Sequence, residues 1–144
     1  MANFHHRQLP PFSALLSGPV PRNELGFRSD RLQISYFHTN ESWNDPLPHA
    51  HQDSDECYLL LRGSLVLEIE GERIILGPRE FCCLPPGTYH QVAEVSPPIE
   101  CLILRGPSGA DKRYLLPDGT STADRVGVQD ILGLLNGSGE SATE

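Results

Sequence analysis

The feature that most constrains this chain is a run of short strand-like segments between residues 31 and 105 that no helical stretch interrupts. Aliphatic, aromatic and β-branched residues recur there in short groups, separated by Gly, Pro and Asn. The spacing is the roughly 8–12 residues that is typical of sandwiches and barrels. Parallel neighbours need long crossovers, usually helices, so we expect antiparallel pairing. The pattern predicts an all-β fold.

The strands and turns can be placed individually. We predict strands over residues 31–39, 56–62, 64–70, 80–85, 89–95 and 99–105, with an edge strand at 112–116. Gly71 suits the first central position of a II′ hairpin turn, and Pro86 and Gly87 fit the central positions of a type II turn. Residues 122–136 are the one helix candidate, which two internal glycines weaken.

The length of 144 residues is that of one domain. Prolines break the first 30 residues, so we expect an irregular N-terminal arm over residues 1–30. The barrel is expected over residues 31–116. A C-terminal loop, the short helix and a flexible tail would occupy residues 117–144.

Composition and charge limit the kinds of partner that the protein could bind, and they indicate the compartment in which it is expected. The formal net charge of −8 argues against nucleic acid or an anionic membrane as a partner. The four cysteines have neither zinc-ribbon nor redox spacing, so we expect buried thiols in a reducing compartment. No stretch approaches the ~18 apolar residues of a membrane span, and the N-terminus does not resemble a signal peptide. We therefore expect a cytoplasmic protein.

Four residues predict a metal site. In the stretch "PHAHQDSDE", His49 and His51 are two apart, so on a strand they point to the same side. Glu56 follows a turn-like "QDSD" segment, and His90 follows the Pro86–Gly87 turn. Three imidazoles and one carboxylate suit one divalent Fe, Mn, Ni, Co or Zn ion per chain. Four protein ligands leave an octahedral metal two open positions for substrate, water or dioxygen.

Over about residues 31 to 105 the sequence resembles the cupins. Their first motif is G-x5-H-x-H-x3,4-E-x6-G, and their second is G-x5-P-x-G-x2-H-x3-N. The matching positions are His49, His51, Glu56 and Gly63 in the first motif, and Pro85, Gly87 and His90 in the second. Trp43 and Arg79 stand where each motif begins with Gly, and Glu94 stands where the second ends with Asn. We expect these three to affect turns rather than metal binding.

The resemblance implies a cupin-type antiparallel β-barrel, or jelly roll, with the metal inside, usually in a homodimer. It does not imply one reaction. The leading hypothesis is a dioxygenase-like metalloenzyme acting on a small organic molecule, with Glu56 as a possible base. The alternatives are a metal-dependent isomerase, epimerase or lyase, or a non-catalytic binding protein. Tyr36, His38 and Tyr58 are candidate pocket residues, since alternation could turn them inward.

Overall fold

The computed structural model describes residues 4–19 and 26–123, and every regular element in these residues is a β-strand. The strands are β1 Ala14–Gly18, β2 Phe27–Arg28, β3 Gln33–Thr39, β4 His49–His51, β5 Asp55–Ile69, β6 Glu72–Leu76, β7 Phe81–Leu84, β8 His90–Gly106, β9 Lys112–Leu115 and β10 Ser121–Thr122. The predicted all-β fold is confirmed for this part of the chain. The strands form one sheet whose pairing does not close on itself, so the predicted barrel is an open one.

Two long antiparallel strands, β5 and β8, run through the whole sheet and divide it into two halves. In the first half, residues 56–59 of β5 pair with β7, and residues 99–105 of β8 pair with β3. In the second half, residues 65–69 of β5 pair with β6, while His90 of β8 pairs with β4. We predicted each long strand as two separate strands, because Gly63 and the "SPP" segment look like breaks.

Those breaks are the places where the long strands change register. Gly63 has a φ of +82°, and the pairing of β5 with β8 shifts on both sides of it. A Cβ at Gly63 would lie 2.5 Å from the carbonyl oxygen of Pro98 and 2.9 Å from that of Ser96. Only glycine combines this left-handed backbone with so close an approach of the neighbouring strand.

The register shift lets both halves contribute to one core. Inward positions of β5 are even before Gly63, as at Tyr58 and Leu60, and odd after it, as at Leu65 and Leu67. A bulge changes which face successive side chains occupy. The core cluster consists of Tyr58, Leu60, Leu65, Leu67, Leu76, Leu84, Val92, Val95, Ile99 and Cys101.

Several details differ from the sequence predictions. The N-terminal arm was expected to be irregular, but β1 pairs with β3 and β2 pairs with β1. Glu70 and Gly71 both have positive φ, which is typical of a I′ turn with Gly71 at its second central position, not of II′. Of the predicted helix over 122–136, only the first two residues are described, and Thr122 belongs to β10.

Arg79 stands where the second motif has glycine, and its backbone conformation is one that glycine adopts readily. Its φ is +67°, a left-handed conformation that disfavours side chains with a Cβ. The backbone N–H of Arg79 donates to the carbonyl oxygen of Leu60 over 3.0 Å, which holds this turn against β5.

The four cysteines are free, and only Cys101 is fully buried. Cys57 and Cys82 are half-buried and Cys83 is exposed, so the expectation of buried thiols holds for one of the four. In the described part of the chain, no helix is long and apolar enough to cross a membrane.

The close contacts at Gly63 predict that replacing Gly63 costs more stability than replacing Gly71. Gly63→Ala and Gly71→Ala both place a Cβ at positive φ, at a cost of about 1–2 kcal/mol. Nothing lies within 4 Å of the new methyl group at Gly71, whereas at Gly63 it meets backbone oxygens. We therefore expect Gly63→Ala to lower the free energy of unfolding by about 1–3 kcal/mol more than Gly71→Ala does. Urea denaturation of both variants checks this, and equal losses would contradict the role assigned to Gly63.

Candidate metal centre

The four predicted ligand residues lie on three strands that meet at one end of the sheet. His49 and His51 are the first and last residues of β4, which lies between β8 and β9. His49 pairs directly with His90, the first residue of β8. The Pro86–Gly87 turn is tied to β4, because the N–H of Gly87 donates to the carbonyl oxygen of His51 over 2.8 Å.

The side chains of these residues form one buried cluster. The potential ligand atoms of His49, His51 and Glu56 all lie within 4.8 Å of one another. His90 Nε2 lies 2.7 Å from Glu56 Oε1, and His51 Nε2 lies 3.2 Å from Glu56 Oε2. Each of the four residues is at most 8% exposed. The group formed by His49, His51 and Glu56 therefore suggests a metal site, with His90 directly beside it.

Two of the imidazoles are oriented by hydrogen bonds from their outer nitrogen atoms. His90 Nδ1 lies 2.9 Å from the carbonyl oxygen of Thr88, which can only accept, so Nδ1 carries the proton. His51 Nδ1 lies 2.9 Å from Asp111 Oδ1, which is an acceptor in the same way when ionised. Such outer partners fix the tautomer of a metal-binding histidine and leave Nε2 as the ligand atom.

This orientation creates a need for positive charge at the centre of the cluster. If each ring is neutral, the Nε2 atoms of His51 and His90 carry lone pairs, and both face the acceptor-only carboxylate of Glu56. Buried acceptors that face one another repel unless a cation lies between them. Protons on the imidazoles or a metal ion can supply that charge. The donor set therefore fits a divalent cation.

Burial and neighbouring charges shift the pKa values of two cluster members. Burial of His49, reinforced by the nearby Lys112 ammonium, lowers the pKa of His49 from 6.5 to about 2, so the ring is neutral near pH 7. Burial opposes ionisation of Glu56, but hydrogen bonds that His51 and His90 donate when Nε2 is protonated outweigh it and hold the pKa of Glu56 below its ordinary value. A neutral imidazole and an ionised carboxylate are the forms that bind a metal.

Asp111 is a site residue that the sequence analysis missed. Its carboxylate accepts hydrogen bonds from His51, the hydroxyl of Ser54 at 2.5 Å and the backbone N–H of Asp53 at 3.1 Å. Arg105 lies 3.0 Å from the same carboxylate. Burial opposes ionisation of Asp111, but the hydrogen bonds from Ser54 and His51 lower its pKa. No local pattern could reveal this residue, because it is 60 positions from His51 in a predicted loop.

A pocket of about 270 Å³ opens beside the cluster. Its lining includes His49, His51 and Glu56 together with Tyr58, whose ring lies 5.8 Å from that of His90. Burial raises the pKa of Tyr58 well above its ordinary value, so the phenol stays neutral. The structure thus places the predicted pocket residue Tyr58 at the site.

The structure does not bring the other two predicted pocket residues to this site. From β3, the pocket is lined by Gln33, Ser35 and Phe37. Tyr36 and His38 lie on the opposite face of the strand, where the hydroxyl of Tyr36 donates to Glu100 over 2.6 Å. Strand alternation correctly grouped Tyr36 with His38, but it could not tell which of the two faces was inside.

The departures from the cupin motifs have different consequences. Trp43 stacks on Phe37 with ring centroids 4.9 Å apart, and both residues line the pocket. Glu94 is exposed and pairs with Arg73 at 3.3 Å, away from the cluster. Thus Trp43 shapes the pocket, which the sequence analysis did not anticipate, whereas Glu94 belongs to the outer surface.

Comparisons with known proteins agree with this fold. Residues 36–104 match the family described as "Cupin domain". The chain is similar to a cupin protein from Bacteroides fragilis, with 20% identity over 76% of this chain and 88% of that one and a TM-score of 0.58. A protein with a double-stranded β-helix domain from Klebsiella pneumoniae matches at 14% identity over 60% and 71%, with a TM-score of 0.52. A search of curated proteins gave no significant match. At these identities the structural likeness shows the fold alone.

The low pKa of His49 predicts acid sensitivity of the metal-free protein. Below about pH 6.5 the unfolded chain binds a proton at His49 that the folded chain excludes until about pH 2. Stability is therefore lost as the pH falls, by about 2 kcal/mol between pH 6.5 and 5. Urea denaturation of metal-free wild type and His49→Gln should show this extra loss in wild type. Parallel pH profiles of the two proteins would contradict the assignment.

Proposed function

Because this chain belongs to the cupin superfamily as a small-domain protein, we propose that it binds one divalent transition metal. His49, His51, Glu56 and His90 would hold the ion. The observation that carries the proposal is the pair of Nε2 atoms facing the buried Glu56 carboxylate while their Nδ1 atoms are already engaged. Fe, Mn, Ni, Co and Zn are all compatible with three imidazoles and one carboxylate.

The protein acts, in this proposal, as a metalloenzyme on a small organic molecule, and dioxygenase-like chemistry is the leading reaction. A redox-active metal held by these residues would supply Lewis acidity toward a bound hydroxyl or enol, and electrons for the reduction of dioxygen. The chain's own residues orient the ligands through Asp111 and Thr88. Tyr58 and the Trp43–Phe37 pair line the pocket, where they would limit the size of the substrate.

A second candidate is a metal-dependent isomerase, epimerase or lyase, which Asp45 favours. Its carboxylate lines the pocket, accepts the N–H of Val92 over 2.8 Å and lies 3.9 Å from His49 Nδ1. Burial raises the pKa of Asp45, although the hydrogen bond from Val92 opposes this. A carboxyl group with a raised pKa is suited to moving protons without redox chemistry. From the sequence, only Glu56 was expected to act as a base.

Metal content is the primary test. Wild-type protein purified anaerobically should carry close to one equivalent of a transition metal per chain, and His49→Ala and His90→Ala should lose most of it. His38→Ala is the matched control, since this histidine lies on the other face of β3 near Glu100. Elemental analysis checks all four proteins. A wild type without metal after reconstitution would contradict the proposal.

The identity of the metal separates the two reactions. Bound Fe together with substrate-dependent oxygen uptake would favour the dioxygenase. Turnover that does not consume oxygen and that Asp45→Asn abolishes would favour the isomerase or lyase. A loaded protein that is inactive in both respects would leave a non-catalytic binding protein.

Asp111 should tune the affinity for the metal. Asp111→Asn removes the charge that orients His51, so we expect the affinity for Zn to fall by roughly 10–100-fold. Asp118→Asn is the matched control, because that exposed carboxylate accepts hydrogen bonds only within its own turn, from Thr120. Competition with a metal-binding dye measures both. Equal affinities in the two variants would contradict a positioning role for Asp111.

The homodimer and the cytoplasmic location remain proposals. The first is based on the cupin resemblance and the second on composition and cysteine usage. Light scattering coupled to size-exclusion chromatography tests the dimer directly.

A further inference from the structure

We propose that the pocket beside the metal centre takes a small organic acid that binds the metal at one end and places a second carboxylate against Lys112 at the other. This inference rests on the proposed metal binding. It specifies the substrate or ligand class as a dicarboxylate whose metal-binding end is a hydroxy acid or an oxo acid.

The position of Lys112 is set by the same strands that carry the ligands. Lys112 begins β9 and pairs with His51, while Tyr114 pairs with His49. Directly opposed residues of an antiparallel pair project to the same face of a sheet. Lys112 therefore lies on the face that carries the cluster, and its Nζ is 5.0 Å from the centre of the Tyr114 ring.

Lys112 also lies where two cavities adjoin. It lines the 270 Å³ pocket beside the cluster and a second cavity of about 250 Å³. The residues that line both cavities are Phe37, Trp43, Asp45, His49 and Lys112. A molecule that reaches the ligand cluster through this space therefore passes the ammonium group.

The ammonium of Lys112 differs from the other cation of the pocket in its partners. The guanidinium of Arg105 is engaged with Asp111 at 3.0 Å, with Gln33 at 2.9 Å and with the carbonyl oxygen of Gly109 at 2.8 Å. In the described part of the chain, no carboxylate oxygen lies within 4 Å of Lys112 Nζ. The ammonium contacts an aromatic face and keeps donors for an incoming anion.

The charge of the site agrees with an anionic ligand. The chain as a whole carries a formal charge of −8, which repels anions from most of its surface. In this pocket, Arg105 offsets Asp111 and Lys112 offsets the ionised form of Asp45, while a divalent ion would exceed the charge of Glu56. The Lys112 ammonium belongs to the same cavity lining as His49. The pocket of the metal-loaded protein would therefore carry a net positive charge, which favours an anionic ligand.

The experiment compares two probes that differ only in their distal charge. Malate chelates divalent metals through its hydroxy-acid end and has a second carboxylate, whereas its 4-monoamide replaces that carboxylate with a neutral group. Calorimetric titration into Zn-loaded wild type should show malate binding roughly tenfold or more tightly than the amide, the factor that corresponds to one charge-assisted hydrogen bond.

Substitutions at Lys112 test whether this residue causes the preference for malate over the amide. Lys112→Met keeps the apolar stem and should remove the preference for malate without weakening the amide, while Lys112→Arg should retain it. Arg113→Met is the matched control, since Arg113 is the next residue of β9 and contacts Ser121 instead. It should behave as wild type. Melting curves and metal content of each loaded variant are measured alongside.

The results separate this inference from the proposed function. A full complement of metal with equal affinity for malate and the amide, or with a preference that survives in Lys112→Met, would overturn the role of Lys112 and leave the metal site intact. A wild type that binds no metal would overturn both. Loss of the preference in Lys112→Met alone supports the dicarboxylate class.

Discussion

The buried carboxylate of Glu56, shared between the Nε2 atoms of His51 and His90, is the interaction on which the site depends. It joins residues from β4, β5 and β8, and His90 is 34 positions from Glu56 in the sequence. Burying such groups costs several kcal/mol per charge unless partners compensate. Here Thr88 and Asp111 hydrogen-bond to the Nδ1 atoms of His90 and His51. Asp111 is in turn held by contacts with Ser54, Asp53 and Arg105. No buried side-chain polar atom in the described residues lacks a partner.

The fold brings these groups together through the register of two strands. β5 and β8 each span both halves of the sheet, and Gly63 allows them to shift register without breaking the pairing. The shift changes the inward face of β5 from even to odd positions, so Glu56 and Tyr58 share a face with Leu65 and Leu67. The apolar core therefore continues directly into the polar cluster.

Much of this could be predicted from sequence, and the failures have physical causes. Turn chemistry and alternation located most strands, and the spacing of His49, His51, Glu56 and His90 predicted residues that the structure places together. Alternation alone could not choose the inner face of β3, so Tyr36 and His38 were expected in a pocket that Phe37 and Ser35 line. Asp111 and Lys112 come from a late segment with no motif of its own. Their relation to the cluster exists only through the pairing of β9 with β4.

The most direct test of the metal centre is an anomalous difference map from crystals of the metal-loaded protein, recorded on both sides of the metal's absorption edge. We expect one strong peak per chain, within about 2.0–2.2 Å of nitrogen atoms of His49, His51 and His90 and of a Glu56 oxygen. The Nδ1 atoms of His51 and His90 should still face Asp111 and Thr88. A peak elsewhere, or ligation that leaves out Glu56, would contradict the central claim.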